Sequence, residues 1–209
     1  MAIIYTIGYT AFPEIRDFIC ELEKRGIDLL IDVRSTPYST HYEQYNSEIL
    51  CSTLKLHNII YKHLPQYFGA RQKERKYYTY SEEPYLDFEL FGSSDIFEEG
   101  YEKTIKATEM GYTPVFMCAE KDPIGCHRAI LISRQFKEKG QDVRHILADG
   151  SEEYHSDLEI RLADQFPEDE PNQFSLFEEN LPQSFEERLR KAYRIQNANI
   201  GYKWKDIIK

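Results

Sequence analysis

Residues 113–140 read TPVFMCAEKDPIGCHRAILISRQFKEKG, and this stretch decides the predicted fold. Thr113–Met117 is a short apolar run, which predicts a buried strand. His127–Lys139 predicts a helix, because Gly140, the next residue, is of the type that commonly ends one. Between them, Cys118–Cys126 includes charged residues, a proline and a glycine. The stretch therefore predicts a strand, a polar loop and a helix, in the order of a βαβ unit.

The same alternation of strands and helices extends to both sides. Further strands are predicted at Ile3–Ile7, Asp28–Val33, Ile59–His63 and Val143–Leu147. Further helices are predicted from Pro13 to Gly26, over Glu48–Leu56 and over Asp95–Met110. Residues 64–84 show no clear period and predict an irregular segment. Because strands that alternate with helices form parallel sheets, the predicted fold class is α/β, with three layers around a mostly parallel five-stranded sheet.

Charge divides the chain into three parts. The net charge is −10, but residues 1–150 hold 18 Lys/Arg against 23 Asp/Glu, residues 151–187 hold one base against 12 acids, and residues 188–209 hold seven bases against one acid. We predict an α/β domain over 1–150, an acidic, proline-containing linker over 151–183, and a basic C-terminal helix or tail over 184–209 that starts with a capping box at Ser184–Glu187. Because the acidity is concentrated in one segment, the net charge does not exclude a nucleic-acid partner.

Composition also bears on the compartment. No apolar run approaches the ~20 residues that span a bilayer, and the first residues lack the basic and apolar regions of a secretory signal. Four cysteines are too few for a disulfide scaffold. We therefore predict a cytoplasmic protein with reduced thiols and no membrane association.

Polar residues follow three of the predicted strands. They are Thr6–Thr10 after the first strand, Asp32–Ser39 after the second and Cys118–Arg128 after the fourth. Because ligands of parallel sheets bind beyond the carboxyl ends of the strands, we expect one shared site there. The residues expected to bind an anion or a substrate are Thr6, Gly8, Tyr9, Thr10, Arg34, Ser39 and Arg128.

The third of these segments carries the expected chemistry. Cys126, His127 and Arg128 stand at the start of the predicted helix, where free backbone N–H groups favour an anion and lower a thiol pKa. Gly125 would let the backbone approach a bound group closely. The candidate catalytic residues are Cys118 or Cys126 as a thiolate, His127, and Glu120 or Asp32 for proton transfer.

Structural roles for some of these residues stay open. Cys118 can be a small apolar residue at the end of a buried strand, and Asp32 can simply pair with Arg34. His145, on the last predicted strand, is expected to be a hydrogen-bonded core residue rather than a catalyst.

A zinc site is a further alternative. Cys118, Cys126 and His127 are possible ligands, but their spacing does not recur in structural zinc sites, and the chain has no CxxC pair. We therefore predict no metal and no other cofactor.

Several motifs resemble one known family. They are Thr6–Thr10, Asp32–Arg34 with Pro37 and Ser39, Phe68–Gly69, Cys118–Glu120, Cys126–Arg128, and His145 with Asp149–Gly150. Together they resemble the domain-of-unknown-function family 488 over about residues 3–150, although the family usually reads Thr-Ile-Gly-His-Ser where this chain has Tyr9 and Thr10. The resemblance implies a compact α/β domain and no settled activity. More distantly, the Asp-Val-Arg strand end and the later cysteine loop are similar to rhodanese-like domains, a likeness of fold only.

The linker carries a separate motif. Gln173-Phe-Ser-Leu-Phe177 resembles the bacterial sliding-clamp-binding pentapeptide, with Gln173, Phe174, Leu176 and Phe177 as the partner-binding residues. These apolar side chains can alternatively pack back onto the domain. Residues 71–80 mix basic residues with tyrosines, a composition that suits contact with nucleic acid. Alternatively, the basic side chains solvate a loop and the tyrosines pack beneath it.

These features lead to one functional hypothesis and two alternatives. The hypothesis is an enzyme that binds or processes a phosphate-containing substrate, nucleotide or nucleic acid, at a Cys/His/Arg anion site. The alternatives are a non-catalytic DNA-associated protein that is tethered to the sliding clamp, and a rhodanese-like sulfur carrier.

Overall fold

Six strands form one sheet in a computed structural model of the chain, which describes residues 2–167 and 184–206. In chain order the strands are β1 (Ile3–Gly8), β2 (Leu29–Asp32), β3 (Ile60–His63), β4 (Pro114–Cys118), β5 (Asp142–Ile146) and β6 (Glu152–Tyr154). Their order across the sheet is β3-β2-β4-β1-β5-β6, and neighbours are parallel except for the antiparallel pair β5 and β6. Gly8 is in register with Cys118, and Asp32 with Met117, so β1, β2 and β4 end at the same edge.

Eight α-helices surround the sheet in the described residues. They are α1 (Ile15–Lys24), α2 (Ser47–Leu56), α3 (Pro65–Phe68), α4 (Phe88–Gly92), α5 (Asp95–Glu109), α6 (Arg134–Glu138), α7 (His155–Asp164) and α8 (Phe185–Ile200). A π-helical turn, Arg128–Ser133, runs directly into α6, and short 3-10 turns follow β1 and precede the π-helical turn. None of the helices in residues 2–167 and 184–206 is long and apolar enough to cross a membrane.

The central strands are buried on both faces, which produces three layers. On β4, Phe116 points into one apolar core, and its neighbours Val115 and Met117 point into the other. The first core includes residues of α5, α6, α7 and α8, and the second includes residues of α1 and α2. This alternation follows from the two-residue period of a strand, and it confirms the predicted three-layer α/β architecture.

The sheet has six strands rather than five. β6 was not predicted because Glu152–Tyr154 contains no apolar run: its pattern is exposed, half-buried, exposed, as expected of an edge strand. The predicted linker from residue 151 is also wrong at its start, because β6 and α7 occupy residues 152–164. Leu158 and Leu162 of α7 are fully buried, and their spacing was the signal for this helix.

The predicted irregular segment also holds more structure than expected. Residues 64–84 include α3 and a 3-10 turn at Arg75–Tyr77, and α4 follows soon after. Leu86 donates its N–H to Tyr202 O (3.0 Å), and Trp204 donates to Pro84 O (2.7 Å). This part of the chain therefore pairs with a segment more than 100 residues later, a contact that no local pattern encodes.

The C-terminal helix packs against the domain. Its predicted capping box is confirmed: Ser184 Oγ accepts from the Glu187 N–H, and the Glu187 carboxylate accepts from the Ser184 N–H. Ala192 and Tyr193 are buried in the first core. Asn197 accepts the Phe88 N–H at Oδ1 and donates from Nδ2 to Leu86 O, both at 2.9 Å.

Candidate functional site

A cavity of about 190 Å³ opens where β1, β2 and β4 end. We call it the strand-end cavity. The charged, imidazole and thiol groups in its wall are Arg34, Arg71, Cys118, Glu120 and His127, and its aromatic side chains are Tyr9, Tyr38 and Tyr202. Larger grooves of about 560 Å³ beside α4 and α8 and about 400 Å³ beside β3 and α5 contain none of the cysteines or histidines predicted for the site. The chemistry of the molecule therefore concentrates in the smaller cavity.

Four of the predicted catalytic residues come together at this cavity, and we call them the Cys–Glu–His cluster: Cys118, Glu120, Cys126 and His127. Glu120 Oε2 lies 3.1 Å from Cys118 Sγ and 2.9 Å from Cys126 Sγ. His127 Nδ1 lies 3.7 Å from Cys118 Sγ and 3.9 Å from Cys126 Sγ. Both cysteines and His127 are buried, and neither cysteine forms a disulfide.

The pKa values of the four groups shift in different directions. The hydrogen bond to Cys126, together with burial, raises the pKa of Cys118 well above the ordinary thiol value. Burial also opposes ionisation of Cys126, but the hydrogen bond with Cys118 and the positive charge of Arg128 lower its pKa well below that value. Burial and the nearby Cys126 raise the pKa of Glu120. Burial acts against charging His127, yet its bond to Cys126 raises its pKa overall.

The cluster is held in place by a loop that crosses β1. Arg128 Nη1 donates to Glu120 O (2.6 Å) and Nη2 to Lys121 O (3.3 Å). A Cβ at Gly8 would lie 1.8 Å from the same Glu120 oxygen, so the loop reaches this position only because residue 8 is glycine. Asp122 fixes the far end of the loop, because it accepts from the Ile124 N–H and pairs with Arg161 of α7.

Arg128 has a different position from the one expected of an anion-binding residue. It is fully buried and lies behind the loop rather than in the cavity wall. Its Nη1 and Nη2 atoms donate to backbone carbonyls, which shapes the loop, whereas Nε has no hydrogen-bond partner among the described residues. A Cβ at Gly125 would meet no atom within 4 Å in the described residues, so its close approach to a bound group stays a prediction.

Asp32 and Arg34 form an ion pair with each other, which is the structural role that the sequence left open for Asp32. Asp32 accepts from Arg34 Nε (2.9 Å) and Nη2 (2.6 Å) and from the Tyr61 hydroxyl (2.7 Å). Asp32 is fully buried outside the cavity wall, whereas Arg34 is part of the wall. Tyr9, also in the wall, stacks on Tyr45 and lies 5.0 Å beneath the Arg34 guanidinium.

Three further residues predicted to bind ligand make bonds inside the fold. Thr6 Oγ1 bonds to His145 Nδ1 (2.7 Å), and Thr10 Oγ1 donates to Ala119 O (2.6 Å). Ser39 Oγ accepts the Tyr42 N–H (3.1 Å) and lies outside the cavity wall. His145 is fully buried and bonded at both ring nitrogens, which confirms its predicted place in the core.

Tyr38, in the predicted segment Asp32–Ser39, is 61% exposed at the cavity. The structure adds two residues that sequence reasoning did not place at the site, Arg71 and Tyr202. Arg71 lies 4.1 Å over the ring of Tyr202 and donates to its hydroxyl (2.6 Å). Arg71 belongs to the basic and aromatic stretch noted in the sequence, but nothing in the sequence places Tyr202 beside it. Within that stretch Tyr77 and Tyr78 are buried and Tyr80 is exposed.

The motif Gln173–Phe177 lies outside the described residues. The clamp contact of Gln173, Phe174, Leu176 and Phe177 therefore stays a prediction from the sequence, as does the tethered, DNA-associated role that depends on it. The sulfur-carrier alternative likewise stays a prediction.

Fold and site together define a class: a three-layer α/β domain with paired cysteines, a carboxylate and an imidazole where its central strands end. The family model described as "Domain of unknown function DUF488" matches residues 14–135. The chain belongs to this family, as its motifs indicated. Comparisons with curated proteins and with solved structures each find no match. The matched residues include the whole Cys–Glu–His cluster, whereas Tyr9 and Tyr202 lie outside them.

Proposed function

We propose that this protein binds and processes a phosphate-containing ligand, a nucleotide or a nucleic-acid end, in the strand-end cavity. The observation that carries the proposal is the pair of guanidinium groups, Arg34 and Arg71, in the wall of a cavity that also contains Cys118, Glu120 and His127. Guanidinium groups match phosphate oxygens in charge and geometry.

The hydrogen bonds of Arg34 support an anion as the ligand, because they leave one of its donor atoms without a partner among the described residues. Asp32 occupies its Nε and Nη2 atoms, and Tyr45 O accepts from Nη2 as well. Nη1 is buried without a hydrogen-bond partner among the described residues. Because a buried donor that lacks a partner costs about 1–3 kcal/mol, an anion oxygen beside Nη1 would recover that energy.

The aromatic wall supports a nucleotide among phosphate-containing ligands. Tyr9, Tyr38 and Tyr202 present rings at the cavity, and aromatic rings stack on nucleobases. A volume of about 190 Å³ is small for a drug-sized molecule and suits a phosphate with part of a sugar. A base would then extend toward the exposed ring of Tyr38.

The groups available to act on such a ligand are those of the cavity wall. Cys118, Glu120 and His127 adjoin the proposed phosphate position, whereas Asp32 and Arg128 are engaged in the fold. The proposed processing step therefore belongs to the Cys–Glu–His cluster. We also infer a cytoplasmic location, since two adjacent cysteines remain unpaired.

Binding can be tested with Arg71→Gln, because Arg71 is exposed and its loss leaves the core intact. We expect the wild-type protein to bind a nucleoside monophosphate and a 5′-phosphorylated oligonucleotide in calorimetry. We expect Arg71→Gln to weaken that binding by about tenfold, the loss of one charged hydrogen bond of about 1.4 kcal/mol.

Lys73→Gln is the matched control, because Lys73 is an exposed base of the same segment outside the cavity wall. It should bind these ligands as the wild type does. The proposal fails if the wild type binds neither phosphate compound, or if the two variants lose affinity equally.

A further inference from the structure

We propose that the Cys–Glu–His cluster is a Zn²⁺ site, with Cys118 Sγ, Cys126 Sγ, His127 Nδ1 and Glu120 Oε2 as the ligands. The proposal goes beyond the proposed function and does not rest on phosphate binding. With the ion bound, the groups of the cluster would be metal ligands, so the processing step would depend on the ion and not on free thiols. It also replaces the expectation of no metal, which weighed His41, His57 or His63 as the fourth ligand and not Glu120.

The two sulfur-to-nitrogen distances fit a tetrahedral zinc site. Zn–S bonds of about 2.3 Å and Zn–N bonds of about 2.0–2.1 Å separate two sulfurs by roughly 3.8 Å and a sulfur from a nitrogen by roughly 3.6 Å. Here the two sulfur-to-nitrogen distances are 3.7 and 3.9 Å. The two sulfurs and the imidazole nitrogen all lie within 4.8 Å of one another.

Glu120 is the candidate for the fourth ligand, because its carboxylate contacts both sulfurs. Its Oε2 lies 3.1 and 2.9 Å from the two sulfurs. A zinc ion would require roughly 3.6 Å, so the carboxylate has to withdraw by about half an ångström. The shift concerns the side chain alone, because Arg128 holds the Glu120 carbonyl.

The imidazole of His127 is otherwise poorly satisfied. The side chain is more than nine-tenths buried, and Nε2 has no hydrogen-bond partner among the described residues. Nδ1 reaches the sulfurs only at distances above 3.5 Å. A buried polar atom without a partner is costly. A zinc ion between Nδ1 and the sulfurs would replace the two long contacts of Nδ1, with the ring proton on Nε2.

Charge and donor chemistry favour Zn²⁺ over harder cations. Two thiolates, an imidazole and one carboxylate form a soft donor set, whereas Mg²⁺ and Ca²⁺ prefer oxygen ligands. The Arg128 N–H lies 3.5 Å from Cys126 Sγ, and its guanidinium is close to the cluster. With both thiols ionised, the three ligand charges, Zn²⁺ and Arg128 sum to zero.

The test is a metal titration of the full-length protein after treatment with a chelator, with Co²⁺ alone as the probe. We expect one equivalent of Co²⁺ to produce tetrahedral ligand-field bands and a thiolate-to-cobalt charge-transfer band, both of which Zn²⁺ then removes. Cys126→Ser and Glu120→Gln should each weaken Co²⁺ binding by at least ~10-fold, since even outer-shell changes have effects of that order.

Cys51→Ser is the matched control, because Cys51 is an exposed thiol far along the chain on α2. It should bind Co²⁺ as the wild type does. Absence of the charge-transfer band in the wild type overturns the proposal, whether or not any variant folds. An unchanged titration of Cys126→Ser with native circular dichroism overturns it as well.

The experiment separates this proposal from the proposed function. The titration contains no phosphate compound, and Arg71→Gln leaves all four ligands in place. Metal binding without phosphate binding, or phosphate binding without metal binding, therefore identifies which of the two inferences fails.

Discussion

At the scale of single residues, the path of the loop at the candidate site depends on glycine at position 8. Gly8 lies directly beneath the Glu120 carbonyl, and Arg128 Nη1, which donates to that carbonyl, lies 3.1 Å from where a Gly8 Cβ would be. The loop that carries Glu120 is therefore held against the strand by a guanidinium. Its shape is set by packing in the fold before any ligand binds.

We expect Gly8→Ala to lower the free energy of unfolding by about 3 kcal/mol, at the upper end of overpacking effects. The cause is the new Cβ, which would lie 1.8 Å from Glu120 O, so that strand or loop must shift. Urea denaturation measures the loss.

Gly125→Ala is the control for this change. It adds the same methyl group to the same loop region, where nothing stands within 4 Å among the described residues. A comparable loss in both variants would contradict the argument from close approach.

Residue identities predicted the cluster better than they predicted the roles of the arginines. Cys118, Glu120 and His127 follow a buried strand or open a helix, so topology alone placed them together. The direction of the Arg128 side chain depends on carbonyls of a loop whose path has no sequence pattern. For that reason Arg128 was expected in the cavity and lies behind it.

At the scale of elements, α8 is fixed to the domain by amide side chains. The Asn197 side chain bonds to the N–H of Phe88 and to the carbonyl of Leu86, in place of a backbone partner. The Gln196 side chain donates to Ile124 O at 2.8 Å. Ile124 belongs to the short turn just before Cys126. The C-terminal helix therefore supports the loop of the candidate site as well as the core.

We expect Asn197→Ala to destabilise the protein by about 2–3 kcal/mol, because it leaves a buried N–H and a buried carbonyl without partners. Asn199→Ala is the control, since Asn199 lies on the exposed side of the same helix. Urea denaturation of both variants tests this. Equal stabilities would show that α8 does not depend on the Asn197 bonds.

Elements with a strong apolar pattern were predicted, and those fixed by distant partners were not. The buried runs of β1, β2 and β4 are visible in the sequence because both faces of those strands are covered. In β5 the half-buried Asp142 and Arg144 alternate with buried residues. β6 gains its place only by pairing with β5. The segment that contains Tyr202 likewise gains its place by pairing with residues 84–86.

At the scale of the whole molecule, a buried chain of hydrogen bonds connects the sheet to the C-terminal helix. Thr6 Oγ1 bonds to His145 Nδ1, His145 Nε2 to His155 Nδ1 (3.0 Å), and His155 Nε2 to the Tyr193 hydroxyl (2.9 Å). Tyr193 donates in turn to Glu159 (3.0 Å). When both histidines are neutral, every donor in this chain has an acceptor, because each imidazole ring then donates one hydrogen bond and accepts one.

These histidines make stability depend on pH. Burial lowers the pKa of both, that of His155 to about 3, and the positive charges of Lys137 and Arg134 near His155 act in the same direction. The unfolded chain therefore binds more protons below an unfolded-state pKa of about 6.5. Stability is complete above that pH and falls as the pH decreases through it.

We expect the free energy of unfolding to fall between pH 6 and pH 5 with a limiting slope of about 1.4 kcal/mol per pH unit for each histidine. Urea denaturation at several pH values measures the slope. His155→Gln should reduce it by one histidine's share, whereas His41→Gln, a change in an exposed loop, should leave it unchanged. A slope that His155→Gln does not alter would refute this origin of the acid sensitivity.

The strand-end cavity has walls from well-separated parts of the chain, Tyr9, Arg34, Arg71, Cys118 and Tyr202 among them. No stretch of the unfolded polypeptide can reproduce that surface, so a compound that binds in the cavity would bind the native state alone. By mass action, a compound at a hundred times its dissociation constant adds about 2.7 kcal/mol to the native state. The melting temperature of the protein is thus itself an assay: a library of metabolites can be ranked by the heat resistance that each confers, without any assumption about the reaction.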